Sequence, residues 1–142
     1  MMALRISGDD RKAKDCFKGG MDITPQLHES APLISRYGNG AFIIGSARAE
    51  GSVFVTRQQH YTLDTQTIGA IHPEDVLKLM DSEVEILLIG TGAQHQMLPQ
   101  ALRQALEEKG INYDSMDTGA ACRTFNILLA EDRRVAALLI AV

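Results

Sequence analysis

The chain has 142 residues, 45% hydrophobic and 23% charged, with a formal net charge of −4, which fits one globular domain and leaves no obvious room for two. The acidic balance argues against a general nucleic-acid binder, which would usually show a basic excess, although Arg123, Arg133 and Arg134 could form a small local patch. With no tryptophan and 5% aromatic residues there is no platform for stacking bases or sugars, and the longest apolar run, Val135 to Val142, is far too short to span a bilayer.

Residues 1–20 carry mixed charges, lack the apolar stretch of a secretory signal, and end in Gly-Gly before Met21. They read either as an upstream or artificially added leader before a natural start at Met21, or as a native flexible tail. Either way the fold is expected over 21–142 as a single domain. Cys16 and Cys122 would make a poor staple, so both are expected as reduced thiols in the cytoplasm.

From Leu33 to Thr56 the signals are β. Gly38-Asn39-Gly40 places an Asn-Gly pair between two apolar runs, a strong hairpin signature. A second strand, Ala41 to Ala47, leads to a turn at Glu50-Gly51, and Ser52 to Thr56 is β-branched. These three are expected to form an antiparallel meander. His60 to Leu63 reads as a short extension, and the Thr/Gln-rich segment after it as irregular. Pro73, with Glu74 and Asp75 behind it, opens a short helix to about Met80.

Val84 to Ile89 is a near-continuous apolar strand of the kind buried on both faces in a parallel sheet. It ends at Gly90-Thr91-Gly92. Pro99 starts a helix with Leu98, Ala101, Leu102, Ala105 and Leu106 on one stripe, and Gly110 stops it. Ile111 to Met116 is a short strand, a helix follows from about Gly119 to Ala130, and Glu131 to Arg134 form a charged turn. Val135 to Val142 closes the chain as a buried strand, although its Ala and Leu content alone would permit helix. Strand, helix, strand in this stretch is a βαβ unit with a right-handed crossover. The Gly90–Gly92 and Asp117-Thr118 loops then face the same side, the default ligand crevice of an open α/β sheet.

Met116 to Asn126 is the most site-like segment. Asp117 or Thr118 can cap a helix whose first turn, Gly119 to Cys122, is all small residues. Such a helix can lie close to a neighbouring backbone or leave its N–H groups open to a ligand. Gly90, Thr91 and Gly92 could also present N–H groups to an anion. They form no P-loop and lack the third glycine of the dinucleotide fingerprint, so a tight turn is the competing reading. Cys122, near a helix N-terminus beside Arg123, is the one candidate nucleophile, with His95 as a base across the crevice; a small buried cysteine is the alternative. Arg123 and Asn126 share a helix face and could hold a carboxylate, a phosphate or a partner's backbone, with Thr124 bordering the opening. Alternatively Arg123 pairs with an acidic neighbour and Asn126 ties down a loop carbonyl. Tyr37 and Arg48 could line the open face of the meander or be ordinary surface residues. His28, His60, His72 and His95 show no ligand spacing, so neither metal nor cofactor is expected.

Tyr37-Gly38, the strand end Gly90-Thr91-Gly92-Ala93, and Met116 to Asn126 followed by Ile-Leu-Leu-Ala-Glu-Asp-Arg-Arg-Val-Ala-Ala resemble the Mth938-like family of unknown function. That family includes a mitochondrial respiratory complex I assembly factor and an adipogenesis-associated human protein. The resemblance runs from Met21 to Val142 and looks closest to bacterial members. It implies a three-layer α/β fold: a mixed central sheet with one strand antiparallel to the rest, flanking helices, and an N-terminal β-meander alongside. It further implies no assigned catalytic activity and, in eukaryotic relatives, complex assembly through protein contacts. Family members often carry Pro-Trp near the middle loop; Leu63 to Ile71 here has neither residue. Two functions follow as expectations. One is a non-catalytic interaction module whose protein partner engages the crevice edge or a meander strand. The other is a binder of, or enzyme acting on, a small anionic ligand between the Gly90–Gly92 loop and the Thr118–Asn126 helix.

Overall fold

The computed structural model describes residues 32–142 and the backbone of a two-residue strand, Gln26–Leu27 (β1). The segment 1–20, Cys16 and His28 lie outside the described residues. Ile34–Gly38 (β2), Ala41–Ile44 (β3) and Ala47–Glu50 (β4) form one antiparallel sheet in the order β2-β3-β4. The β2–β3 turn has φ of 54° at Asn39 and 77° at Gly40, the positive pair that a tight hairpin of this twist requires.

The other strands are Ser52–Thr56 (β5), Gln59–Leu63 (β6), Ile86–Gly90 (β7), Tyr113–Met116 (β8) and Val135–Leu139 (β9). With β1 they form a sheet in the order β1-β6-β5-β9-β7-β8. β9, β7 and β8 run parallel, β5 is antiparallel to both β9 and β6, and β1 is antiparallel to β6. Among the five longer strands β5 alone opposes the rest, and β1 shares its direction. Pro73–Leu79 (α1), Gln100–Glu108 (α2) and Thr118–Ala130 (α3) complete the fold.

The sheet separates two cores. On one face Phe54, Leu87, Ile89, Ala136 and Leu138 meet Val76 and Leu79 of α1 and Leu102 and Leu106 of α2. On the other, Val53, Val55, Leu88, Ala137 and Leu139 meet Ala121, Cys122, Phe125 and Leu129 of α3 together with Phe42 and Ile44 of the small sheet. The period of two in each strand divides its side chains between these layers. The buried positions of α3, Thr118, Ala121, Cys122, Phe125 and Leu129, recur at helical spacing, so one stripe lies on the sheet.

Four expectations shift. The three-stranded antiparallel sheet is present, but its third strand is Ala47–Glu50, because Gly45 (φ 60°) turns the chain inside the run expected as one strand. Ser52–Thr56 is buried at every position and therefore joins the large sheet, where both its faces are covered. Gln59–Leu63 is a full strand paired with β5, not a short extension. On α2, Ala101 faces solvent while Leu102 and Leu106 are buried, so the apolar stripe is narrower than expected.

Val135–Leu139 shows why composition alone left helix open. It is bonded on one side to β5 and on the other to β7, and that pairing overrides the weak helical preference of Ala and Leu. Ala136 and Ala137 lie under opposite helical layers, where small side chains let both layers approach the sheet.

Candidate functional site

Asp117 caps α3: its Oδ1 accepts the Ala120 N–H at 2.8 Å, satisfying one orphan donor of the first turn. The next residue, Thr118, is fully buried. Its Oγ1 donates to Ile140 O at 2.8 Å and accepts the Gly92 N–H at 3.0 Å, while its own N–H donates to Gly92 O at 2.8 Å. Thr91 N–H donates to Met116 O at 2.8 Å. Its hydroxyl accepts the Gln96 N–H at 2.9 Å and lies 3.1 Å and 3.2 Å from the carbonyl oxygens of Gln94 and Met116. The ends of β7 and β8 are thus joined by hydrogen bonds, and the hydroxyls of Thr91 and Thr118 point into that network.

The small residues serve close approach. A Cβ added at Gly90 would stand 2.8 Å from Thr118 Cα and 3.1 Å from Ala121 Cβ, so the first turn of α3 rests on the backbone of β7. At Gly119 the neighbour is a side chain, the Tyr37 hydroxyl, 2.6 Å from where a Cβ would sit.

Cys122 is buried within the α3 core, and burial pushes its thiol up to about 12, outweighing the opposing pull of Arg123. The lowered value expected near a helix N-terminus is reversed because the side chain faces the sheet, away from the helix end. His95 Nε2 lies 3.2 Å from Ser115 Oγ. Ser115 shares a face of β8 with Tyr113, which packs in the α2 layer, so the sheet separates His95 from Cys122. A consequence is measurable. A group whose folded pKa is raised stabilises the fold fully below its unfolded value, about pH 8.5 for a thiol, and that contribution is lost as pH rises toward about 12. Tyr61, raised by burial and by Asp81, acts in the same direction. Urea midpoints should therefore fall with pH above about 8.5, and less steeply in Cys122→Ala. Peptide-resolved alkylation at about pH 8 should find Cys122 protected in the folded chain. Labelling as fast as in urea would refute the inert thiol.

Asn126 acts as a two-pronged clamp. Its Oδ1 accepts Ile34 N–H at 2.8 Å and its Nδ2 donates to Ile34 O at 2.9 Å, so one amide completes the outward backbone groups of β2 at that residue. Arg123 donates to the Tyr37 hydroxyl at 3.3 Å and has no ion pair among the described residues. Thr124 Oγ1 lies 3.7 Å from Met116 Sδ.

Sequence reasoning missed one feature of this face. Ile127 is 58% exposed and Tyr37 42% exposed, and Ile127 sits one helical turn beyond Arg123. An apolar residue four places after an exposed arginine, off the buried stripe, was the available signal. Tyr37, Arg123 and Ile127 thus make a surface of aromatic, cationic and aliphatic groups without an acid–base pair. Among the described residues no group of three His, Cys, Asp or Glu could hold a metal ion. No helix among them is long and apolar enough to cross a membrane.

Residues 34–140 match the family described as a protein of unknown function, DUF498/DUF598. An uncharacterized protein of Rhodobacter capsulatus is 34% identical over 75% of this chain and 82% of its own. The NADH dehydrogenase [ubiquinone] 1 alpha subcomplex assembly factor 3 of Xenopus tropicalis is 29% identical over 76% of this chain and 60% of its own, so the match spans under two thirds of that relative. Among solved structures, a protein described as an outer membrane protein of Bartonella henselae has a TM-score of 0.73 at 44% identity, covering 82% of this chain and 99% of that one. A Mth938-like domain from Bordetella pertussis shares the fold, with a TM-score of 0.65 at 24% identity over 81% of this chain and 91% of that one.

Proposed function

The chain belongs to the DUF498/DUF598 family of unknown function, and from that premise we propose that it is a non-catalytic protein-interaction module, of the kind that helps assemble other proteins into a complex. It works in the cytoplasm and binds its partner on the face shared by α3 and β2. The observation that carries this reading is a contrast. The polar groups of Thr91, Gly92, Asp117 and Thr118 are bonded within the chain, whereas Tyr37, Arg123 and Ile127 stand exposed together. Aromatic and arginine side chains of this kind are the usual anchors of protein interfaces. In this reading Gly90, Thr91, Gly92, Asp117 and Thr118 hold the α3 N-terminus in place and Asn126 fixes β2. Arg123 faces the partner, while Thr124 lies on the opposite flank of α3 against Met116 of β8. The assembly-factor names of eukaryotic relatives add support.

A second reading keeps one specific observation in its favour. Arg123 lacks an acidic partner among the described residues, and its guanidinium shares the Tyr37 hydroxyl above Gly119. A carboxylate or phosphate could be held there, whether on a partner protein or on a small ligand.

The test is a quantitative pull-down from native lysate with the wild-type chain and an Arg123→Ala/Ile127→Glu variant. Both sites are exposed, so stability should change by no more than about 0.5 kcal/mol, while a stoichiometric partner should bind at least about thirtyfold more weakly. A partner retained at full affinity would move the interface off this face, and no stoichiometric partner at all would remove the module reading. A rise in melting temperature with inorganic phosphate, present in wild type and absent in Arg123→Ala, would favour the second reading.

A further inference from the structure

β8 ends the six-stranded sheet on one side. Leu87 N–H donates to Asn112 O at 2.9 Å and Thr91 N–H donates to Met116 O at 2.8 Å, bracketing a parallel ladder that pairs Leu88 with Asp114. Alternate residues of a parallel strand bond the same neighbour. Asn112, Asp114 and Met116 therefore turn their backbone groups toward β7, and Tyr113 and Ser115 turn both N–H and C=O outward. Among the described residues no strand pairs with that side.

We propose that β8 is a docking edge for an extended segment of another protein, bound by strand addition, with a lysine or arginine placed opposite Asp114. The proposal rests on the interaction-module reading and gives that module a second surface with defined partner chemistry. The backbone supplies the affinity in such complexes and the flanking side chains the selection.

Charge decides the occupant. Asp114 is exposed and has no ion pair among the described residues. On the α2 face, Glu107 accepts the Tyr113 hydroxyl proton at 2.9 Å, and Arg103 lies close enough to act on the same phenol, so those two charges offset each other. The unbalanced sign at the edge is negative. A second copy fits badly: antiparallel pairing centred on Asp114 would bond Tyr113 of one copy to Ser115 of the other, but would set two Asp114 carboxylates directly opposite. Met116 shares the Asp114 face and is half-buried beside Thr124, which gives an aliphatic residue two places from the basic one a surface to cover.

The edges of the small sheet are less suited. β2 is stopped at Ile34, where Asn126 already bonds the outward N–H and C=O. β4 carries the exposed Arg48–Glu50 ion pair, the kind of charged strand that blunts edge pairing.

The experiment titrates the isotope-labelled full chain with a terminally blocked peptide, Thr-Thr-Lys-Thr-Val-Thr-Thr, and with its counterpart carrying glutamate for lysine. Hydrogen exchange should slow at the Tyr113 and Ser115 amides. The lysine peptide should bind about tenfold more tightly than the glutamate peptide. Asp114→Lys, at an exposed site, should reverse that order. Ser115→Ala should bind as wild type, because the contact is made by the main chain. Protection elsewhere, at Tyr37 for instance, or at no amide, would overturn the proposal, as would equal affinity for both peptides in wild type. A lysate partner lost in Arg123→Ala/Ile127→Glu with no protection at the edge would sink the edge and leave the module reading standing. Edge protection without any stoichiometric lysate partner would do the reverse.

Discussion

Gly90→Ala should destabilise the chain by about 3 kcal/mol, read as a lower urea midpoint at unchanged slope. The new Cβ would meet Thr118 Cα at 2.8 Å, Thr118 Oγ1 at 3.0 Å and Ala121 Cβ at 3.1 Å. Two of these three atoms are backbone or Cβ, which cannot rotate away. Moving α3 outward would stretch the Thr118–Gly92 and Thr118–Ile140 hydrogen bonds, each between 2.8 Å and 3.0 Å. Gly119→Ala is the matched control. Its Cβ would approach Tyr37 Oη at 2.6 Å, but that hydroxyl ends an exposed side chain that can swing aside, so the loss should stay below about 1 kcal/mol. Equal losses at the two glycines would contradict the close approach of α3 to β7.

Thr118→Val should cost about 2 to 4 kcal/mol. Valine fills the same space, so packing is kept while the Gly92 N–H and the Ile140 carbonyl both lose the hydroxyl that joins them. Each is then left in the interior without that partner, and desolvation is no longer offset. Thr118→Ser keeps the hydroxyl and should lose only about 1 kcal/mol for the missing methyl. Faster amide exchange at Gly92 in the valine variant alone would locate the damage. A valine variant as stable as wild type would mean that water replaces the hydroxyl, and that the junction of β7, α3 and the Ile140 segment is open to solvent.

Signals within a few residues of one another were legible in the sequence. Asn39-Gly40 declared its turn, Pro73 and Pro99 marked helix starts, and Asp117 lay three residues before the N–H it caps. The apolar run before Gly90 correctly implied a strand buried on both faces. What sequence could not supply was partner choice. Ser52–Thr56 looks the same whether it ends a small sheet or enters a large one, and only the distant β9 decides. Thr118 reads from sequence as a possible cap for its own helix, yet its hydroxyl finds a carbonyl acceptor 22 residues away. Asn126 finds its partner 92 residues earlier, at a position no local pattern indicates. For Cys122 the local cue and the tertiary environment act in opposite directions, and burial is the larger.

The position of β9 has a kinetic consequence. It is the last strand in chain order, yet it lies between β5 and β7 and bonds to both. The antiparallel pair β5–β6 and the parallel pair β7–β8 therefore share no ladder until β9 enters between them. Closing the sheet requires a long loop, from Val53–Thr56 to Ala136–Leu139, and such non-local pairing slows folding. During synthesis both half-sheets emerge from the ribosome before the strand that joins them, with the edges of β5 and β7 unpaired. The sheet is thus completed only once β9 has emerged, and until then the edges of β5 and β7 add to the open edge of β8 as sites of misassociation.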